Sequence, residues 1–312
     1  MSIERLENAL HCDVKAAWGC TEPVTIALAA CHAARQAGGT ARRITLNVST
    51  NLFKNAMEVG IPGAGGGHGI SLAAALGVHA PHPVPDLRIL SAIDPVWLGK
   101  ARTMIESGAV QLHIDPKQYG LRIEAFVESD SGTGRSIIAD SHENLTLLEK
   151  NGNIVHKSES KPGSGSSDVI ERRRAIADIP FIELYNVLPR LTQKMRDFLL
   201  DGIAMNRNVA EAGLQGEGSL KIGQTYRKLL ESGWMGNDLI NRAKLLTSAA
   251  VDARMSGCSL PVMTSAGSGN QGITVTLPLS ILAEQLHSTQ ERLGEALALA
   301  HAITSILKYH TG

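Results

Sequence analysis

The sequence is short of most features that would assign it early. No stretch supplies the eighteen or so uninterrupted apolar residues a membrane-crossing helix needs, so no spanning segment is expected. Net charge is missing too: 30 basic residues balance 30 acidic ones, which removes the electrostatic reason to expect nucleic acid or an anionic membrane. The start, MSIERLENALHCDVK, brings in Glu4, Glu7 and Asp13 early and lacks an apolar core followed by small residues. It does not read as a secretory signal, and a cytoplasmic location is expected. Cysteine is scarce: Cys12, Cys20, Cys31 and Cys258 form no CxxC pair and no dense framework, so thiols rather than structural disulfides are expected. Aromatic residues make up only 4% of the chain, but 43% of it is hydrophobic, and 312 residues suffice for one large soluble domain or two lobes. These absences leave a small molecule as the expected partner.

What is present sorts into three textures. From Ile3 to about Gly39 apolar residues recur at helical spacing, first in IERLENAL and then in the alanine-rich PVTIALAACHAARQA. Residues 42–50, RRITLNVST, alternate as a strand does, and the glycine-rich GIPGAGGGHG leads into a helix, ISLAAALGV. After the proline-rich PHPVPDLRIL, a helix is expected in SAIDPVWLGKARTMIESGA. The short alternating runs QLHIDP, LRIEAFVES, RSIIAD, NLTLLEK and NIVHKS then predict an antiparallel meander covered by a helix. KSESKPGSGSSD reads as a polar, flexible connector, and nearly everything from Val169 onward reads as helix, including FIELYNVLPRLTQKMRDFLLDGIAMNRNVAEAGL as one run. The expected fold is α+β: a smaller mixed lobe with an antiparallel sheet over residues 41–160, and a mostly helical lobe from residues 1–40 and 161–312.

Three places have the composition for chemistry. The loop from Gly60 to Gly69 presents backbone amides ahead of a helix, a geometry that holds phosphate or carboxylate. It carries neither GxGxxG nor a P-loop lysine, which counts against a nucleotide, and a tight turn explains the glycines equally well. The run Pro261 to Gly272, PVMTSAGSGNQG, alternates small hydroxyl and amide side chains with glycine. That is how a substrate carboxylate or amino group is gripped by neutral donors, although a loop of unusual backbone angles has similar composition. Its unbroken polar length favours binding. Cys20 stands at the positive end of a helix, with Thr21 as expected N-cap and Pro23 in the first turn, where a thiolate is stabilised for attack or metal ligation. An inert capped thiol is the alternative there. Cys31 and Cys12 read as small buried hydrophobes.

GCTEP at 19–23, NLFKNAMEVGIPG at 51–63 and DARMSGCSLPVMTSAGSGNQG at 252–272, in that order and spacing, resemble the L-cysteine desulfidases. These belong to the iron–sulfur serine dehydratase alpha-chain superfamily, many of whose members are uncharacterised proteins. The resemblance runs along the whole chain. It implies a lyase independent of pyridoxal phosphate that splits L-cysteine to pyruvate, ammonia and hydrogen sulfide, with L-serine dehydration as the related reaction. A [4Fe-4S] cluster on three cysteines, with one iron left open as Lewis acid, is implied as cofactor. By the same resemblance Cys20 matches the first cluster ligand, and Ser265, Gly267, Ser268, Asn270 and Gln271 match the segment that holds the substrate carboxylate. Asn51, Lys54 and Asn55 match the family's NLxKN run as substrate-binding or catalytic groups. Lys54 is the preferred catalytic residue, with a solvated lysine as the alternative, and His68 is the second choice. The resemblance also implies roughly a hundred further residues, on the scale of a domain, beyond the position of Gly312. Those residues carry the other two cluster cysteines, which Cys258 alone does not replace. A chain that ends early is the expectation, with the cluster absent or labile. It follows either as a lyase lacking part of its site or as a non-catalytic remnant that binds an amino acid, with a homodimer covering the exposed helices.

Overall fold

The computed structural model describes residues 2–81, 88–118, 120–158 and 167–311. Most of the connector expected at KSESKPGSGSSD and most of the proline-rich PHPVPD lie outside the described residues. In chain order the elements are α1 (Ile3–Asp13), β1 (Ala16–Trp18), α2 (Thr21–Ala37), β2 (Ala41–Ser49), α3 (Thr50–Ala56), α4 (Gly69–Val78), α5 (Pro95–Glu106), β3 (Val110–Asp115), β4 (Arg122–Ser129), β5 (Thr133–Ala139), β6 (Leu145–Lys150), β7 (Asn153–Lys157), α6 (Ser167–Ala177), α7 (Phe181–Val187), α8 (Gln193–Gln215), α9 (Ile222–Glu231), α10 (Leu239–Met255), β8 (Pro261–Met263), α11 (Gly269–Gln285) and α12 (Gln290–Thr311). The fold is α+β. It divides into two compact units, residues 20–166 and residues 1–19 with 167–312.

The first unit is built on a six-stranded sheet of order β3-β2-β4-β5-β6-β7. Strands β4 to β7 form the antiparallel meander the alternation predicts. β3 departs from it by running parallel to β2 on the other side. The chain between them passes through α3, α4 and α5, and such a helical crossover returns a strand in the same direction, which a hairpin cannot do. Ile44, Leu46 and Val48 of β2 and Ile123, Ala125 and Val127 of β4 are buried on one face. That face meets α2, whose side chains from Ile26 to Cys31, and Ala33, are buried with them in one core. Ser136 on β5 donates to the Ala29 carbonyl at 2.6 Å, tying strand to helix. The boundary expected near residue 40 therefore lies at Cys20: α2 goes with the sheet because its alanine-rich face is buried by it.

The second unit is helical around a two-stranded ribbon. β1 and β8 pair antiparallel, with Ala16 opposite Met263. One core gathers Leu6, Leu10, Leu184, Met195, Leu199 and Leu297, and a smaller one Val209, Ala253, Val262 and Ile273. The long helix expected from Phe181 is broken between α7 and α8 by a 3-10 turn at Leu188–Arg190. Pro189 lacks the N–H a helix interior needs, and Thr192 starts α8 anew by accepting the Met195 N–H on its hydroxyl at 3.2 Å.

Candidate functional site

The polar run is shorter as a loop than its composition suggests. Pro261–Met263 is a strand, and α11 begins at Gly269, so Asn270 and Gln271 lie in the first helical turn. Between them Ser265 and Ser268 exchange backbone hydrogen bonds of 3.0 and 2.9 Å around Ala266 and Gly267, whose φ values are 47° and 79°. Two successive positive φ angles make a primed turn. Ser268 then caps α11 through its hydroxyl, accepting the Gln271 N–H at 3.4 Å.

This turn is held from several sides. Thr264 and Gly267 donate their backbone N–H groups to the Lys15 and Asp13 carbonyls, at 2.8 and 3.3 Å. Asp13 itself takes a bidentate fork from Arg173 at 2.7 to 3.0 Å. Asn206 brackets Met263, its amide oxygen accepting the Met263 N–H at 2.9 Å and its nitrogen donating to the Thr276 hydroxyl at 2.7 Å. Arg254, 8% exposed, donates to Asn270 Oδ1 at 2.9 Å and to the Gly19 carbonyl at 3.1 Å. Ser265 is fully buried, and its hydroxyl lies 2.8 Å from Nδ1 of the equally buried His301. His301 Nε2 and Arg254 Nε are both buried without a hydrogen-bond partner. Burial pushes the His301 pKa down to about 4 against the opposing charge of Asp13.

The proposed carboxylate grip thus divides. Ser265 faces inward to His301, whereas Gly267 and Gln271 are exposed and Ser268 and Asn270 half-buried. Sequence reasoning missed Asp13, Arg173, Asn206, Arg254 and His301. The available signal was polar residues breaking apolar helix faces, as His301 does in LALAHAITS.

In the sheet unit, Cys20 rather than Thr21 is the N-cap of α2: its backbone is extended, and its side chain makes no capping hydrogen bond. Cys20 is 8% exposed. The Thr21 hydroxyl is instead 3.2 Å from His142 Nε2, and the Thr25 hydroxyl 2.9 Å from His142 Nδ1. Burial lowers the His142 pKa, with Glu22 opposing. Asn51, Lys54 and Asn55 share one face of α3, at i, i+3 and i+4, and all are exposed. His68 is exposed as well, with its Nδ1 3.0 Å from Glu58. The glycine loop around it is a series of tight turns: Ile61 donates to the Gly67 carbonyl at 2.9 Å, and Ala64 to Ile61 at 3.1 Å. These bonds use amides that an anion would need.

Four thiols are present and no disulfide joins them. Burial drives the Cys258 pKa up to about 11 and raises that of Cys31, so neither favours a thiolate. No three His, Cys, Asp or Glu side chains among the described residues come together as a metal site. A [4Fe-4S] cluster on three thiolates therefore does not fit the donor set of the described residues. No helix among them is long and apolar enough to cross a membrane.

Residues 137–312 match the family described as serine dehydratase alpha chain. Over 304 residues the chain is 36% identical to a UPF0597 protein of Clostridioides difficile, covering 97% of this chain and 71% of that one. It is 37% identical over 309 residues to one of Oleidesulfovibrio alaskensis, covering 99% and 71%, and 36% identical over 299 residues to one of Clostridium perfringens, covering 94% and 67%. No solved structure matches. The chain belongs to the serine dehydratase alpha chain family, alongside these UPF0597 proteins.

Proposed function

We propose that this chain recognises a small amino acid for β-elimination, with L-cysteine as substrate: the Cα–H and Cβ–S bonds break, hydrogen sulfide leaves, and the aminoacrylate tautomerises to an imine that water hydrolyses to pyruvate and ammonia. The observation that carries this reading is the 265–271 turn, in which exposed neutral donors sit on a buried and cationic support. Gln271 and the half-buried Ser268 hydroxyl, which accepts the Gln271 N–H and keeps its own proton to donate, present the grip. Arg254 fixes Asn270 and supplies positive charge beneath a bound carboxylate, while the Arg173 charge is taken up by Asp13. A carboxylate held in this way makes the α-proton easier to remove. Lys54 and His68 are exposed residues of the sheet unit, and neither has a buried environment to support a proton acceptor's role. L-serine is the second reading, favoured by the family's description, and it differs only in losing water instead of hydrogen sulfide.

Anaerobic isothermal titration with L-cysteine and L-serine tests the grip. One of the two binds the chain, and Gln271→Ala weakens that binding at least tenfold while the protein stays folded. No heat for either amino acid, or unchanged affinity in Gln271→Ala, sinks the proposal. Pyruvate measured together with sulfide or ammonia then distinguishes elimination from binding alone.

A further inference from the structure

The sheet unit contains a cleft of about 440 Å³ that the elimination reading does not use. It opens where β2 and β3 end, lined by Asn47, Ser49, Asp115, Gln118, Arg122 and Glu124 among others. β2 and β3 are parallel and joined by a helical crossover, and the crevice beyond the carboxyl ends of such strands is where open α/β sheets take up ligands. Its position is therefore what the topology favours.

Its charges are arranged by register. Ser49 pairs with Asp115 on one side, and Val48 pairs with Ile123 on the other, which brings Arg122 of β4 to the level of Ser49. Adjacent strands lie about 4.8 Å apart, so the backbones of Asp115 and Arg122 stand roughly 10 Å apart across β2. Both side chains line the same cleft from these positions, so it offers opposite charges to a free α-amino acid, whose ammonium and carboxylate are close neighbours.

The charged groups also have capacity left. Arg122 reaches Glu124 only at 3.8 Å, and Glu124 is already held by Arg135 at 2.8 Å. Asp115 accepts the Lys117 backbone N–H at 2.9 Å through Oδ1. Among the described residues that line the cleft there is no thiol or imidazole, so the role it fits is an effector's rather than a reacting substrate's.

We propose that this cleft binds a free zwitterionic α-amino acid, with its carboxylate on Arg122 and its ammonium on Asp115 and Glu124. The site is separate from the 265–271 turn and does not rest on that turn's role. Isothermal titration of the full chain with L-alanine, L-lactate and ethanolamine tests it. L-Alanine binds, while L-lactate, which lacks the ammonium, and ethanolamine, which lacks the carboxylate, bind at least tenfold more weakly. Arg122→Gln and Asp115→Asn each weaken this binding event at least tenfold, with thermal unfolding verifying that both are folded, and Gln271→Ala leaves the event in place. Arg122→Lys, which keeps the charge, recovers part of the affinity. The inference is overturned if L-alanine does not bind, if L-lactate binds as tightly, or if neither cleft variant weakens binding. Loss in Gln271→Ala alone would place the amino acid at the turn and refute this cleft while supporting the proposed function. Loss in the cleft variants alone supports the cleft and leaves the turn to its own titration with L-cysteine and L-serine.

Discussion

Ser265 and His301 share a hydrogen bond of 2.8 Å in an environment that excludes water. The imidazole stays neutral there because charging it would require desolvating a cation. The folded-state pKa is about 4, against 6.5 for an exposed histidine. The unfolded chain therefore takes up a proton near pH 6.5 that the folded chain refuses until about 4. Stability is complete above 6.5 and declines as the pH falls between those values, by up to about 3 kcal/mol at about 1.4 per pKa unit. His32, His79 and His142 are lowered by burial too and act in the same direction. Denaturant unfolding at several pH values should show His301→Gln costing about 1–2 kcal/mol at pH 7, the worth of one buried hydrogen bond and its partner. The same variant should have a shallower loss of stability towards pH 4 than the parent. An unchanged acid slope would show that His301 is not the group responsible. The inward direction of Ser265 also explains why, of the predicted grip residues, Gln271 is the better one to substitute.

At the scale of elements, the packing of α2 depends on how closely backbones approach. A methyl group at Gly77 of α4 would run into the Ala27 carbonyl of α2. Gly99, also inside a helix, has nothing within 4 Å of where a methyl would sit. The same substitution should therefore have opposite signs. Gly77→Ala should destabilise by about 1–3 kcal/mol, the usual cost of overpacking, because neither backbone can yield cheaply. Gly99→Ala should stabilise by about 0.5–1 kcal/mol, from helix propensity alone. Urea midpoints of the two variants check this. A helix read from sequence as alanine-rich and buried on most sides matches what is observed: ten residues of α2 are buried. Periodicity did not reveal which partner buries them, since alanine faces suit a sheet and a helix equally.

For the whole molecule, family membership and donor chemistry bear together on whether a cluster is held. The relatives are longer, with this sequence covering 67 to 71% of those compared, and among the described residues no three ligating side chains converge. After anaerobic incubation with iron and sulfide and removal of the excess, the chain should retain neither, and Cys20→Ala should behave as the parent does. Iron and sulfide retained in cluster proportions, and lost in Cys20→Ala, would overturn that expectation.

The strands β2 to β7, the helices α2, α4 and α5 and the α+β class were legible in the sequence, because alternation, helical spacing and turn residues act over a few positions. GCTEP and AGSGNQG likewise marked the serine dehydratase alpha chain family without any fold. Three things were decided only in three dimensions. β3 pairs parallel to β2 because of the crossover between them. α2 joins the sheet because the sheet buries its face. The polar run splits into buttressed and exposed residues because Ser265 meets His301, 36 positions away, and Arg254 meets Gly19, 235 positions away. Contacts at such separations carry the burial and charge that set each side chain's chemistry, and no local pattern encodes them.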